Sequence, residues 1–475
     1  MSRGTSTRSS HREGAQMQQV DVVVIGAGFA GLVAARELGA TGLDVLTLEA
    51  RDRIGGRTWT DHRLGRELEM GANWVHWVQP HVWAEMTRYG RGIERSPRAE
   101  EAYWRGADGS PRRGSLDAFM ELIDAGQQLV VDDVREAIPR GVEPCEGRIR
   151  ELDHLSLQDR FDALALDAEA RTANESVWVG HVNAPLDRVG LSSALRWVAA
   201  AGGHWQLMHE ASATYRVTGG MRRFAEAIAA DVAGEIRLGC GVVSVTQTGT
   251  GDDAHAIVET GTGERIRARR VVSTLPVNAI DAIRFDPPLP EAWQRQHAET
   301  VASQGCKIWL RARGHLPRFF AYGSQHDPIS VLKAEFFLSD GTGDSTLLVG
   351  FGPDHRSVDP DDLGALQRAV DELRPGIELI EATTHDWMGD PLSRTTWMTH
   401  RPGQLTRDLC ELQQPAGLLH FATTDNAALW GGFIDGAIES ALREARAVAA
   451  ALRGPEPAQR RAGLSPRARP GRQRR

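Results

Sequence analysis

The chain has 475 residues, is 41% hydrophobic and carries a net charge of −8, enough material for two or three domains with substantial cores. No apolar run reaches the roughly 18 residues that a membrane-spanning helix needs. Cys145, Cys240, Cys306 and Cys410 are scattered with no Cys-x-x-Cys pair, which argues against a structural zinc or a disulfide framework and leads us to expect free thiols.

The ends differ from the body. Residues 1–19 are rich in Ser, Arg and Gln without an apolar segment, so they read as a disordered leader rather than a secretory signal, and the cytoplasm is the default location. The arginines of residues 454–475 are interleaved with Pro and Gly and have no aromatic neighbours; this reads as a disordered basic tail and argues against nucleic-acid binding. Between them the body is acidic.

Val20 to Ile25 is an apolar β-branched run that predicts a buried parallel strand, and Leu32 to Leu38 carries helical spacing. The turn between them is Gly-x-Gly-x-x-Gly. Gly26 permits the tight bend, Gly28 lets the backbone approach a pyrophosphate, Phe29 and Ala30 open the helix, and Gly31 allows helix and strand to pack closely. A second strand, Asp44 to Leu48, ends in Glu49, an acid placed for the hydroxyls of an adenosine ribose. A lone glycine motif is a weak signal, but strand, turn, helix, strand and acid in register predict a Rossmann-like dinucleotide fold. The chain then runs Ala50-Arg51-Asp52-Arg53-Ile54-Gly55-Gly56-Arg57-Thr58, where backbone amides and guanidinium groups meet phosphate a second time.

That run resembles the extended FAD fingerprint of the flavin amine oxidase family, which includes monoamine oxidases, polyamine oxidases, L-amino-acid oxidases and bacterial relatives. The resemblance implies an α/β fold. A discontinuous Rossmann-like FAD-binding domain over residues 20–80, 211–290 and 398–453 would be interleaved with an α+β substrate-binding domain over 81–210 and 291–397, as in monoamine oxidases. Glu69 to His76 then becomes the flavin-facing loop, with Gly71, Ala72 and Asn73 against the ring and Trp74 beside it. Residues 81–210 turn helical, as in Leu116 to Ile138 and Leu157 to Arg171. Phe224 to Val232 is amphipathic, and strands are expected over Glu235 to Val245 and Arg265 to Leu275. By resemblance Val242 touches adenine and the turn near Pro276 lies over the cofactor.

Lys307 starts an alternating strand and from pattern alone would be surface charge. The resemblance implies instead the lysine that holds a water at the reactive flavin nitrogen. His385 to Trp397 resembles the segment that passes the flavin face, with Trp387 in it. Thr424 and Asp425 would lie toward the ribityl-phosphate side. Gly431, Gly432 and Gly436 would allow close approach, with Phe433 and Ile434 leading into a long helix. Trp397 and Phe433 fall where monoamine oxidases place two facing tyrosines, an aromatic cage that orients the amine. Thr396 matches the cysteine that attaches FAD in those enzymes, so non-covalent FAD is expected. Thr423 in place of glycine and Asp425 in place of glutamate are further departures.

The implied reaction is oxidation of a primary or secondary amine. A hydride passes from the α-carbon to FAD, the imine hydrolyses, and O2 takes the electrons to give H2O2; no metal and no acid–base dyad is needed. The stretch Trp74 to His81 is similar to bacterial enzymes acting on aryl or heterocyclic alkylamines of the nicotine-breakdown kind, and His76, His81 and Glu85 are candidates for the entrance. Other readings stay open. An L-amino-acid oxidase would need an arginine such as Arg188 or Arg196 for the substrate carboxylate; a flavin desaturase or an FAD-holding partner protein with an idle site would share the fingerprint. Homodimerisation stays open as well.

Overall fold

The structure is a computed structural model that describes residues 17–139, 143–341 and 343–453. The basic tail and residues 1–16 of the leader lie outside the described residues.

Two sheets organise the chain. In the first, Gln18–Ile25 pairs in parallel with Val45–Leu48 on one side and Arg265–Ser273 on the other. Glu235–Arg237 extends one edge, His255–Thr260, Val242–Thr248 and Arg284–Asp286 extend the other, and Leu419–Phe421 joins beside Arg265–Ser273. The continuous apolar run of the first strand follows from burial on both faces. Val22 and Val24 pack under the helices Phe29–Ala40, Gly220–Ala230 and Ile434–Arg453, whereas Val23 and Ile25 face the opposite layer with Val277, Ile280 and Trp293.

The second sheet has seven strands, in the spatial order Leu379–Thr384, Cys306–Arg313, Gly343–Gly352, Val331–Asp340, Phe319–Tyr322, Glu101–Arg105 and Pro111–Ser115. Helices including Leu116–Val130, Ala168–Val182, Leu191–Ala200 and Trp205–Ala213 pack around the buried indoles of Trp178, Trp197 and Trp205.

Several local expectations are corrected. The first strand starts at Gln18, two residues earlier than the apolar run suggests. The helix expected over Leu116 to Ile138 is two, Leu116–Val130 and Val134–Ala137. Leu157 to Arg171 also divides, because Asp167 caps a new helix by accepting from the Ala170 amide. Glu235 to Val245 breaks into Glu235–Arg237 and Val242–Thr248 around Gly239, whose φ is +64°. Cys145 and Cys410 form a disulfide with their Cα atoms 6.2 Å apart, which leaves Cys240 and Cys306 free. The four-thiol expectation failed because the two partners are 265 residues apart and meet only through tertiary packing.

Gly31 does what the turn motif requires. A Cβ placed there would lie 1.9 Å from the Gly26 carbonyl oxygen. Gly31→Ala must therefore lift the helix off the strand, and is expected to lower unfolding free energy by about 1–3 kcal/mol. Denaturant titration checks this, and a shift within error would show that the helix has room.

Candidate active site

The glycine turn and the diglycine segment are stitched together. The Gly55 amide donates to the Ala27 carbonyl at 2.9 Å, and a Cβ on Gly56 would lie 3.3 Å from the Gly28 Cα. Glu49 is buried at the end of its strand. One carboxylate oxygen accepts from the Ala27 amide at 2.7 Å and the other from the Arg51 amide at 2.8 Å, so each keeps a lone pair for a ribose hydroxyl. Arg51 is anchored by Asp390 at 2.7 Å. Burial pushes the Asp390 carboxyl up, but hydrogen bonds from His385 and Arg51 prevail and hold it well below the usual carboxylate range.

One continuous cleft runs from this turn past Val242 and Pro276, along Gly71, Ala72, Asn73 and Trp387, to Lys307, Trp397 and Phe433. Of the residues singled out in the sequence, Gly26, Gly28, Phe29, Ala30, Glu49, Ala50, Arg51, Gly55, Gly56, Arg57, Trp74, Thr424, Gly432 and Ile434 also line it. Gly31 and Asp425 do not. Gly31 is spent on helix–strand packing, and Asp425 lies buried behind the wall, accepting from the Val277 amide at 2.8 Å and from Arg57 at 3.4 Å. Gly431 and Gly436 are corrected: added Cβ atoms there would strike Arg196 and Trp430, so these glycines serve internal packing and only Gly432 faces the cleft. The donor set fits FAD, with two stitched glycine turns, two arginines, a ribose acid and a slot of small residues beside Trp387.

Lys307 is buried, which overturns the surface reading. Its Nζ donates to the Gly71 carbonyl at 2.9 Å and lies 5.1 Å from the Trp74 ring centre. Burial lowers the ammonium pKa, with Glu69 and Glu335 opposing that shift.

The rings of Trp397 and Phe433 are held from behind. Trp397 donates its indole N–H to the His181 carbonyl at 3.2 Å and meets Phe351 edge-on at 6.0 Å. Phe433 is bracketed by Trp197 at 5.3 Å and Trp430 at 5.0 Å, both edge-on. Phe351 was not foreseen; it lies opposite Lys307 in the strand pairing, a register that a single sequence does not reveal.

Four more lining residues were missed: His181, His209, Tyr322 and Lys333. Phe320 and Tyr322, like Val331 and Lys333, are two apart on a strand and share a face, but nothing in the pattern says that this face borders a cleft. The entrance candidates are corrected. His76 is fully buried and takes the Val78 amide, His81 is held by Asp435, and Glu85 pairs with Arg36; none lines the cleft. Arg188 binds Gln304 and Arg196 the Ala427 carbonyl, so among the described residues neither arginine is placed to hold a substrate carboxylate. No group of three or more metal-ligating side chains occurs among the described residues, and no helix there is long and apolar enough to cross a membrane.

Known proteins resemble this chain. Residues 29–449 match the family model described as flavin containing amine oxidoreductase. A pseudooxynicotine dehydrogenase from Pseudomonas sp is 34% identical over 440 residues, covering 91% of this chain and 87% of the relative. A nicotine dehydrogenase from Pseudomonas putida is 36% identical over 431 residues, with coverages of 90% and 88%. A solved putrescine oxidase variant superposes with a TM-score of 0.79 at 24% identity, over 91% of this chain and 99% of that one. The chain therefore belongs to the flavin-containing amine oxidoreductase family and is an FAD-dependent enzyme.

Proposed function

We propose that this enzyme oxidises a primary or secondary monoamine of the aryl or heterocyclic alkylamine type, using non-covalent FAD and O2. The observation that carries the reading is the single cleft joining the nucleotide turns to a buried lysine and an aromatic cage. When bound, FAD supplies the hydride acceptor. The chain's own residues position and protect. Trp397, Phe433 and Phe351 form an apolar front wall that favours the neutral amine and excludes water. Burial lowers the His209 imidazole to about 4 and holds His181 well below its ordinary value, so both are neutral at pH 7 and add no charge that would repel a protonated amine at entry. Lys307 keeps N–H donors beyond the one given to Gly71, which suits it to fix a water and to stabilise negative charge as oxygen is reduced. The amine type is favoured by the activities for which the two Pseudomonas relatives are named.

The site residues and the interleaved domain boundaries set out above belong to this proposal. Thr396 lines the cleft, and no cysteine is among its described lining residues, so acid precipitation of the purified protein is expected to release all of its flavin into the supernatant. Flavin retained in the pellet would mean a covalent link. The test of the whole reading is anaerobic mixing with a panel of amines and amino acids, followed by absorbance. Bleaching by arylalkylamines supports it, whereas bleaching by amino acids alone, or by none, overturns it.

A further inference from the structure

The far end of the cleft holds polar side chains for which the reaction has no use. One row crosses four strands of the seven-stranded sheet: Tyr322 lies opposite Val331, Val331 opposite Phe351, and Phe351 opposite Lys307. Neighbouring strands stand about 4.8 Å apart, so the row sets Tyr322 roughly 14 Å from Lys307. Tyr322 is only 4% exposed and stacks on Phe119 at 4.9 Å and Phe320 at 5.7 Å. Its hydroxyl has no hydrogen-bond partner among the described residues and is open to the cleft rather than sealed in the core. A ligand atom is the partner this cleft can supply.

The surroundings restrict that atom. In the neighbouring row Lys333 lies opposite Phe320. Its ammonium pairs with Glu335 at 2.8 Å and donates to the Ala213 carbonyl at 3.1 Å, so its charge is already answered. His181 and His209 share a hydrogen bond at 3.0 Å, and each neutral ring offers one donor and one acceptor. Glu49, at the nucleotide end, is the one acidic residue among the described lining residues. A second ammonium in the chamber would thus meet Lys333, whose Nζ lies 4.8 Å from the Trp74 ring centre, with no carboxylate to hold it, and a carboxylate would find the lysine's charge taken.

We propose that this end of the chamber receives the tail of a monoamine through a neutral hydrogen-bond-accepting group, a ring nitrogen or a carbonyl, which accepts from the Tyr322 hydroxyl. This assignment rests on the amine-oxidation reading above and names the tail that the same site selects. It separates the enzyme from one built for a diamine such as putrescine.

The test uses the holoenzyme and four N-methyl alkylamines of equal length ending in phenyl, pyridyl, ammonium or carboxylate. Stopped-flow flavin reduction without oxygen gives the ratio of rate constant to Kd for each. The pyridyl compound is expected to exceed the phenyl compound by about tenfold, the worth of one hydrogen bond, and the two charged tails are expected to fall below phenyl. In Tyr322→Phe the pyridyl-to-phenyl ratio is expected to approach one; being internal, this ratio is insensitive to partial loss of flavin. If the variant does not fold, the parent panel decides alone. Equal pyridyl and phenyl values in the parent, a ratio that survives in Tyr322→Phe, or a preferred diamine would overturn the assignment while leaving amine oxidation standing. Bleaching by no member of the panel would overturn both.

Discussion

Lys307→Met is expected to slow reoxidation of the reduced enzyme by O2 by about 100-fold or more, the usual cost of removing one preorganised charge from a dry site. Methionine nearly matches the volume and leaves Trp74 and Trp309 their packing, while the ammonium that lies 5.1 and 5.3 Å from those rings is lost. The Gly71 carbonyl loses its donor, but the phosphate-binding turns lie elsewhere in the cleft, so bound FAD should fall far less than the oxygen reaction. Double-mixing stopped flow separates the two half-reactions: anaerobic reduction first, oxygen second. Equal oxygen rates in variant and parent would remove Lys307 from this role.

Glu85→Ala is expected to destabilise the protein by about 1–3 kcal/mol, because it takes away the two-pronged partner of a buried guanidinium and leaves it Glu37 and the Tyr89 hydroxyl. Arg36, on the helix that follows the glycine turn, is 2% exposed and forms a two-pronged pair with Glu85, one prong at 2.7 Å; it also reaches the Tyr89 hydroxyl at 2.9 Å and pairs with the half-buried Glu37 at 2.8 Å. Replacing both partners by methionine should recover most of the loss, since an apolar pair of similar volume carries no desolvation penalty. Guanidinium denaturation of the holoenzymes measures both. A Glu85→Ala variant indistinguishable from the parent would show that Glu37 and water satisfy Arg36 without it.

The nucleotide half of the site was legible because its chemistry is local. Gly26, Gly28 and Gly31 act within one turn, and Glu49 ends the adjacent strand, so spacing along the chain was spacing in space. Trp397 and Phe433, the proposed cage, stand out only through family resemblance, since a buried Trp or Phe looks the same in any core. What escaped was set by register. Phe351, Tyr322 and Lys333 border the cleft because four strands align them, and His181 and His209 meet because two helices of the insertion cross. Glu85 misled for the opposite reason, an acid near the expected entrance whose partner, Arg36, lies 49 positions earlier.

The order of strands in the first sheet bears on biosynthesis. Gln18–Ile25 leaves the ribosome well before its partner Arg265–Ser273 is made, and Leu419–Phe421, which completes that neighbour, comes after both. The helix Ile434–Arg453, which packs against Phe29–Ala40, is later still. The nascent chain must therefore hold an apolar strand with only Val45–Leu48 of its two mates until Arg265–Ser273 is made, a state that invites aggregation and chaperone capture. Losing Ile434–Arg453 would strip the face of Phe29–Ala40 that it covers, so a chain stop just before residue 434 should be as damaging as one far upstream.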